Sequence, residues 1–102
     1  MSNPTTATAL PTETVIVPAF SVANSPVKSI QATNLDGSQT VDFFVYVALG
    51  TEPLALMDLS QLRGVAPGAT AIAQGIDTNN LSKLEIRATA SGVGASVRVA
   101  TA

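Results

Sequence analysis

Short runs of alternating apolar and polar residues fill the chain from Glu13 onward. The clearest run is Thr40 to Leu49, in which every second residue from Val41 is apolar. A period of two places alternate side chains on opposite faces of a β-strand, so one face of this strand must lie in a core. The other face carries Phe44 and Tyr46, and we expect it to be covered as well, by a second layer of the same domain or by another subunit.

Six further segments show a strand pattern and are separated by turn residues. Segment 54–62 suits a short helix about as well as a strand followed by a turn, and we favour the strand because its neighbours are strands. In segment 83–90 apolar residues alternate with Lys83, Glu85, Arg87 and Thr89, which predicts a strand with one solvated face. The last strand is predicted to direct Val97 and Val99 inward and Arg98 outward. The six segments are 14–17, 27–34, 54–62, 69–76, 83–90 and the residues around 97–99.

Turn residues predict where the chain reverses. Pro18 is expected to end the first strand, with a continuation at Val22 and Ala23 as the alternative. Asp36-Gly37 is expected to close a hairpin, because Gly accepts the positive φ that tight hairpin turns demand. Ala66-Pro67-Gly68 is predicted as a turn in which Pro presets φ, and Gly92-Val93-Gly94 as a flexible hairpin.

These segments predict an all-β fold of about seven strands. No segment supplies the long apolar helices that βαβ crossovers need, so the strands should be antiparallel. We therefore predict an antiparallel two-sheet sandwich, jelly-roll-like or immunoglobulin-like. The sequence does not choose between these topologies, although it lacks the Cys, Trp, Cys set of a true immunoglobulin domain.

The first twelve residues differ from the rest. Residues 1–12 hold two prolines and several threonines without an apolar period, so we expect them neither to form a helix nor to bury a face. We predict an extended arm over 1–12 and a sandwich domain over 13–102, with a disordered tail as the alternative for the arm. The residues predicted to bind a partner are Asn3, Pro4, Leu10 and Pro11 in the arm, and Phe44 and Tyr46 in the central strand.

The composition points to an assembly. Charged residues make up 12% of the chain, hydrophobic residues 46%, and the mean hydropathy is +0.37, whereas a typical domain is about 25% charged. A surface this poor in charge is typical of a subunit in contact with other proteins, and the alternative is a soluble monomer with a Thr and Ser surface.

Charge and apolar run length argue against two classes of partner. The net charge is -2 and the five basic residues are dispersed, which predicts neither a nucleic-acid partner nor a membrane partner. No apolar run approaches the roughly eighteen residues of a membrane span, and no basic residue precedes an apolar stretch at the N-terminus. We expect neither an anchor nor a Sec-type signal.

Candidate catalytic chemistry is sparse. His, Cys and Trp are all absent, which excludes triads with a His base and zinc sites built on His or Cys. A carboxylate pair for glycoside hydrolysis is conceivable, but most acidic residues lie in or beside predicted turns, where they bond to the local backbone. We expect no enzyme, no cofactor and no metal. The acidic candidates are Asp36, Asp42, Glu52, Asp58, Asp77 and Glu85.

The order of strands and turns is similar to that of a known group. A Thr-Val-Ile-Val-Pro-Ala strand precedes Val27-Lys28-Ser29-Ile30, then Asp36-Gly37-Ser38 and a Val-x-Phe-x-Val-x-Val strand. The chain ends with Val65–Thr70, Leu84–Gly92 and a Val-Arg-Val strand. Over residues 13–101 this order resembles the small β-sandwich virion proteins of tailed bacteriophages, which are capsid decoration (cement) subunits or head and tail accessory proteins.

The resemblance implies a subunit without enzymatic activity, often a trimer, seated where capsomers meet on an icosahedral head. It carries over no binding residues. We therefore expect a decoration subunit on the capsid surface, made in the host cytoplasm, that bridges major capsid proteins as a homo-oligomer, with a trimer favoured. One alternative is a tail, neck or fibre-base subunit. Another is a carbohydrate-binding module, although such modules stack sugars on exposed aromatics and this chain offers only Phe20, Phe43, Phe44 and Tyr46.

Overall fold

Eight β-strands and one 3-10 turn, η1, make up the regular structure of the described residues. The computed structural model describes residues 4–24, 26–57 and 59–102. This confirms the all-β prediction, with one strand more than expected. The elements are β1 Thr5–Ala9, β2 Thr14–Ser21, β3 Ser29–Asn34, β4 Val41–Ala48, β5 Ala55–Met57, η1 Ser60–Leu62, β6 Thr70–Gln74, β7 Lys83–Ala90 and β8 Ala95–Thr101.

The strands form two antiparallel four-stranded sheets. Sheet A has the order β1-β8-β3-β6, and sheet B has the order β2-β7-β4-β5. Strands β1 and β8, β2 and β7, β3 and β6, and β4 and β5 are therefore paired, and successive pairs alternate between the sheets. This is the jelly-roll arrangement, in which one long antiparallel ribbon folds over itself. It differs from the immunoglobulin arrangement, so the structure decides between the two predicted topologies.

The core lies between the sheets and is built mainly from Val, Ile, Leu and Ala. In β4 the alternation predicted from the sequence is confirmed from Val41 to Val45, because Val41, Phe43 and Val45 are buried while the residues between them are partly exposed. It is wrong at its end, since Leu49 lies beyond the strand and is 48% exposed. In β8 Val97 and Val99 are buried and Arg98 is exposed, also as predicted. Leu62 of η1 is fully buried and joins the core cluster.

Strand β2 corrects the prediction that Pro18 ends the first strand. The strand continues through Pro18 to Ser21, and its pairing with β7 shifts register between Val15 and Val17 and again between Val17 and Phe20. Proline lacks the N–H that an interior strand needs, but an edge strand tolerates it. Strand β2 is the outer strand of sheet B, and Pro18 lies within its second register shift, two settings in which proline is tolerated.

The predicted hairpins at 36–37 and 92–94 are also wrong. Asp36-Gly37 lies between β3 of sheet A and β4 of sheet B, and Gly37 does not have a positive φ. Residues 92–94 likewise connect β7 of sheet B to β8 of sheet A. Both connections are arches between sheets, because β3 and β7 pair with strands that are distant in the chain and not with the strand that follows them.

Two local predictions are confirmed. Segment 54–62 contains the short strand β5 followed by η1, as the strand-and-turn interpretation expected. At the turn of Ala66-Pro67-Gly68, the Ala69 N–H donates to the Ala66 carbonyl at 3.0 Å, and Gly68 has φ 74°. Glycine is required at this position because L side chains rarely adopt such a φ.

Strand β1 lies within the range predicted as an arm. It pairs with β8 as the outer strand of sheet A, Ala9 is fully buried, and Ala7 packs against the core. The expectation that this segment buries no face is therefore wrong, since alternate alanines are small enough to be buried without a conspicuous apolar pattern. That Asn3, Pro4, Leu10 and Pro11 bind a partner stays a prediction.

Candidate interaction surface

The outer face of sheet B carries two aromatic rings side by side. Phe44 and Tyr46 alternate with core residues of β4, so both point away from the core and are partly exposed. Register places Phe44 opposite Arg87 of β7 and Tyr46 opposite Glu85. Among the described residues no further layer of this chain covers the rings, and arginine side chains lie against them. Cover by another subunit stays a prediction.

Arg87 connects one ring to an acidic side chain. Its guanidinium carbon lies 4.1 Å from the centroid of the Tyr46 ring, within cation–π range. Its Nη1 donates to Glu13 Oε1 at 2.9 Å, and its Nε donates to Glu85. The Tyr46 hydroxyl donates to the same Glu13 oxygen at 2.7 Å. Four side chains, from β4, from β7 and from the residue before β2, are thus held in one network.

The network changes the acidity of its members. The hydrogen bond from Tyr46 and that from Arg87 hold the pKa of Glu13 below its ordinary value, because both stabilise the carboxylate. The same contact raises the pKa of Tyr46, since a tyrosinate would lie against the Glu13 carboxylate. The hydrogen bonds to Glu13 and Glu85 raise the pKa of Arg87. At neutral pH the Tyr46 phenol is therefore neutral, while the Glu13 carboxylate and the Arg87 guanidinium are charged.

A second arginine lies over the second ring. The guanidinium carbon of Arg63 is 4.8 Å from the centroid of the Phe44 ring. Arg63 follows η1 directly, and the next residue, Gly64, donates its N–H to Asp42 Oδ1 at 2.7 Å. Gly64 has φ 62°, a conformation that a side chain would strain. The bond to Asp42 thus holds the η1 end beside β4.

Exposed aliphatic residues flank the two rings. Val15 of β2 pairs with Arg87, and Leu56 of β5 pairs with Tyr46, so both share the outer face of sheet B. They are 47% and 48% exposed, respectively. We call the set of Val15, Phe44, Tyr46, Leu56, Arg63 and Arg87 the aromatic–arginine face. Tyr, Phe and Arg are enriched at the centres of protein interfaces, where large rigid side chains bury much area at little entropic cost.

The six residues predicted to bind a partner are not brought together. Asn3 lies outside the described residues. Pro4 lines a depression of about 210 Å³ with Gln31, Thr33, Arg98 and Ala100 on the outer face of sheet A, opposite the side that carries Phe44 and Tyr46. Leu10 and Pro11 are exposed in the connection between β1 and β2.

Sequence reasoning missed Glu13, Arg63 and Arg87 as members of the surface. The alternation of β7 predicted that Arg87 lies on a polar face, and this is correct. That it lies opposite Phe44 depends on the pairing of β4 with β7, about forty residues apart in the chain. Arg63 carries no periodic signal, because it follows a single turn outside any strand.

Two acidic side chains of the described ranges, Asp36 and Asp77, bond to the backbone a few residues ahead of them. Asp36 Oδ2 accepts from the N–H groups of Ser38 and Gln39 at 2.9 and 2.8 Å, and Asp77 Oδ1 accepts from the Asn79 N–H at 3.0 Å. Within residues 4–24, 26–57 and 59–102, no group of three or more His, Cys, Asp or Glu side chains is placed to hold a metal ion. None of the helices in that part of the chain has the length and apolar character needed to cross a bilayer.

Comparison with known proteins yields structural likenesses only. No family model matches the sequence, and no curated protein matches it. The SPBc2 prophage-derived protein YomS shares 10% identity with a TM-score of 0.47 over 99% of this chain and 96% of its own. A chain from the structure of infectious bursal disease virus Gt strain shares 9% identity with a TM-score of 0.39 over 95% of this chain and 25% of its own. Likenesses this distant do not establish kinship or function.

Proposed function

We propose that the protein is a structural subunit of a tailed-phage particle and acts by binding neighbouring protein surfaces. In its most specific form, the proposal is a capsid decoration subunit that bridges adjacent major capsid proteins. The observation that carries it is the aromatic–arginine face, where two rings and two arginines meet beside exposed Val15 and Leu56. This combination is typical of a surface that is buried against another polypeptide.

The fold and composition support the same proposal. Jelly rolls recur in viral capsid and lectin domains, although a fold by itself does not assign a function. With 12% charged residues, the surface has little self-repulsion to oppose a protein contact. The order of strands and turns that resembles phage virion proteins points the same way.

A lectin-like role has less support from the same surface. Sugar binding by aromatic side chains needs an uncovered ring face. Here Phe44 has Arg63 over it and Tyr46 has Arg87 over it, while Phe43 is 1% exposed. The carbohydrate-binding alternative would be revived by specific binding of the protein to a glycan array.

The decisive experiment is to purify particles by density gradient from a lysate of cells that carry the gene, and to locate the protein by mass spectrometry and cryo-electron microscopy. We expect many copies distributed over the shell at positions where capsomers meet. A few copies at one vertex would replace decoration by a neck or tail role. Expression of the protein without any association with particles would overturn the proposal.

Variants of the face test whether it makes the contact. Phe44→Ser and Leu56→Ser should lower the occupancy of the protein on stripped particles, because each removes apolar area from the aromatic–arginine face. The matched control is Val93→Ser, which changes a residue that is 73% exposed in the connection between β7 and β8. Equal occupancy of all three variants would exclude the aromatic–arginine face as the contact.

Deletion of the first twelve residues is not a clean test of the arm. It would remove β1, expose the backbone edge of β8 and withdraw the buried Ala9. Loss of attachment would then reflect damage to the sandwich. Leu10→Ser is the better variant, because Leu10 is 48% exposed and its side chain can be changed while its carbonyl still accepts from the Ala90 N–H.

A further inference from the structure

Strand β6 is the outer strand of sheet A, and its outward edge carries unpaired backbone groups. The register of β3 with β6 and the hydrogen bond from the Asn34 N–H to the Ala69 carbonyl at 3.0 Å show which residues bond across the pair. Because bonding alternates along an antiparallel pair, Ala71 and Ala73 bond to β3. Thr70, Ile72 and Gln74 therefore direct their N–H and C=O groups away from the sheet.

The other side of β3 supports this assignment independently. Ser29 and Ala102 exchange both backbone hydrogen bonds at 3.0 Å, so alternate residues of β3 starting from Ser29 bond to β8. The remaining residues, Ile30, Ala32 and Asn34, are then the ones that bond to β6. Among the described residues, none pairs with the outward backbone groups of β6.

The other three sheet edges carry features that oppose strand addition. Strand β2 contains Pro18 and two register shifts, and β5 is three residues long. Strand β1 has Pro4 immediately before it and Pro11 two residues after it. Natural edge strands are protected by proline, bulges, shortness or charge. Strand β6, with the sequence Thr-Ala-Ile-Ala-Gln, has none of these four features, although η1 lies beside it.

The side chains of this edge are complementary to themselves. In an antiparallel pair centred on Ile72, the two Ile72 residues face each other and Thr70 faces Gln74 of the second copy. The residues that face each other in this pair, Thr70, Ile72 and Gln74, are also those whose N–H and C=O groups point outward. The backbone donors of one copy therefore lie opposite the backbone acceptors of the other. Ile72 is 49% exposed and would be covered by its counterpart. No charged residue lies in the strand to repel a second copy.

We propose that β6 pairs with β6 of a second copy of the protein. Sheet A of each copy then joins the other across a two-fold axis, which gives one continuous eight-stranded sheet. The contact is smaller than the roughly 1,200–2,000 Å² of stable complexes, so the dimer is weak in free solution and is favoured when copies are held close together. The proposal does not depend on the virion role, since it concerns the isolated protein. It gives a dimer, whereas the phage resemblance favours a trimer.

Cysteine cross-linking tests both the contact and its register, because the chain has no native cysteine. Ile72→Cys should give disulfide-linked dimers under mild oxidation, since directly opposed residues have Cα atoms about 5.5 Å apart. Thr70→Cys alone should not, because its two copies are offset by about 13 Å along the strands. A mixture of Thr70→Cys and Gln74→Cys proteins should cross-link. Val93→Cys is the control for random collision.

The results separate the proposal from its alternatives. If Ile72→Cys cross-links no more than Val93→Cys, the edge does not pair. If Thr70→Cys protein cross-links with itself as readily as with Gln74→Cys protein, the two-fold register is wrong. Sedimentation of the wild-type protein should show a dimer that grows with concentration, and Ile72→Lys should lower the association constant at least about tenfold while Val93→Lys leaves it unchanged. A monomer at all concentrations, or a trimer unaffected by Ile72→Lys, would overturn the proposal.

Discussion

Arg87 Nη1 and the Tyr46 hydroxyl donate to the same oxygen of Glu13, at 2.9 and 2.7 Å. One carboxylate just before β2 is thereby joined to two strands of sheet B, β7 and β4. Because Arg87 also lies over the Tyr46 ring, the exposed aromatic surface is held in one arrangement. Such pre-ordering reduces the entropy lost on binding a partner.

Glu13→Gln should lower the pKa of Tyr46 toward its ordinary value of 10.0. The carboxylate opposes formation of a tyrosinate beside it, and the neutral amide does not. Tyr46 is the single tyrosine and the chain has no tryptophan, so its ionisation can be followed directly by ultraviolet absorbance. Glu52→Gln, in the loop after β4, is the matched control and should leave the titration in place. An unchanged curve for Glu13→Gln would contradict the network.

Acidification should destabilise the protein partly through Asp36. Hydrogen bonds from the backbone N–H groups of Ser38 and Gln39 hold its pKa below the ordinary value of 3.8. A lowered folded pKa contributes stability above the unfolded pKa, and this contribution is lost as pH falls through the folded value. Urea unfolding from about pH 5 to about pH 2 measures it.

Asp36→Asn should show a shallower loss of stability over that acid range than the wild type, because the residue can no longer take up a proton. Ser38→Ala removes the side-chain donor and keeps both backbone donors. Its pH dependence should therefore lie between the other two. A wild-type slope for Asp36→Asn would show that the loop between β3 and β4 does not contribute to the acid response.

Asn34→Ala should lower the free energy of unfolding by about 3 kcal/mol. Asn34 is fully buried, and its Nδ2 donates to the carbonyls of Gln39 at 2.6 Å and Val65 at 3.0 Å, while its Oδ1 accepts from the Asp36 N–H at 3.0 Å. The variant leaves the Gln39 carbonyl and the Asp36 N–H without these partners, whereas the Val65 carbonyl still accepts from the Val41 N–H at 3.1 Å. Asn80→Ala, at an exposed turn position, should change stability by less than about 0.5 kcal/mol in the same denaturation experiment. Equal effects of the two variants would contradict this role.

Phe43 and Phe44 are neighbours on opposite faces of β4 and form a matched pair. Phe43 is 1% exposed and central to the core, so Phe43→Ala should cost about 3–5 kcal/mol of unfolding free energy. Phe44→Ala should cost less than about 2 kcal/mol, because the ring is partly exposed under Arg63. Chemical denaturation of both variants checks the difference. A larger loss for Phe44→Ala would mean that the two faces of β4 have been assigned the wrong way round.

Local patterns predicted much of the strand content. The period of two in β4, β7 and β8 placed their core and outer faces correctly, because side-chain direction in a strand depends only on position along it. The turn at Pro67 and Gly68 was equally local, since φ is a property of the residue itself. The candidate surface was predicted in part for the same reason, because Phe44 and Tyr46 had to face away from Phe43.

The sequence by itself determined the all-β class, the faces of the strands and the absence of imidazole and thiol chemistry. Only the tertiary structure decided that successive pairs alternate between two sheets, that Pro18 lies within an edge strand, that Thr5–Ala9 pairs with β8, and that Arg63 and Arg87 lie over the two rings. Each of these depends on which distant strand supplies the hydrogen-bonding partner. Backbone donors and acceptors are the same in every residue except proline, so local patterns do not specify that partner.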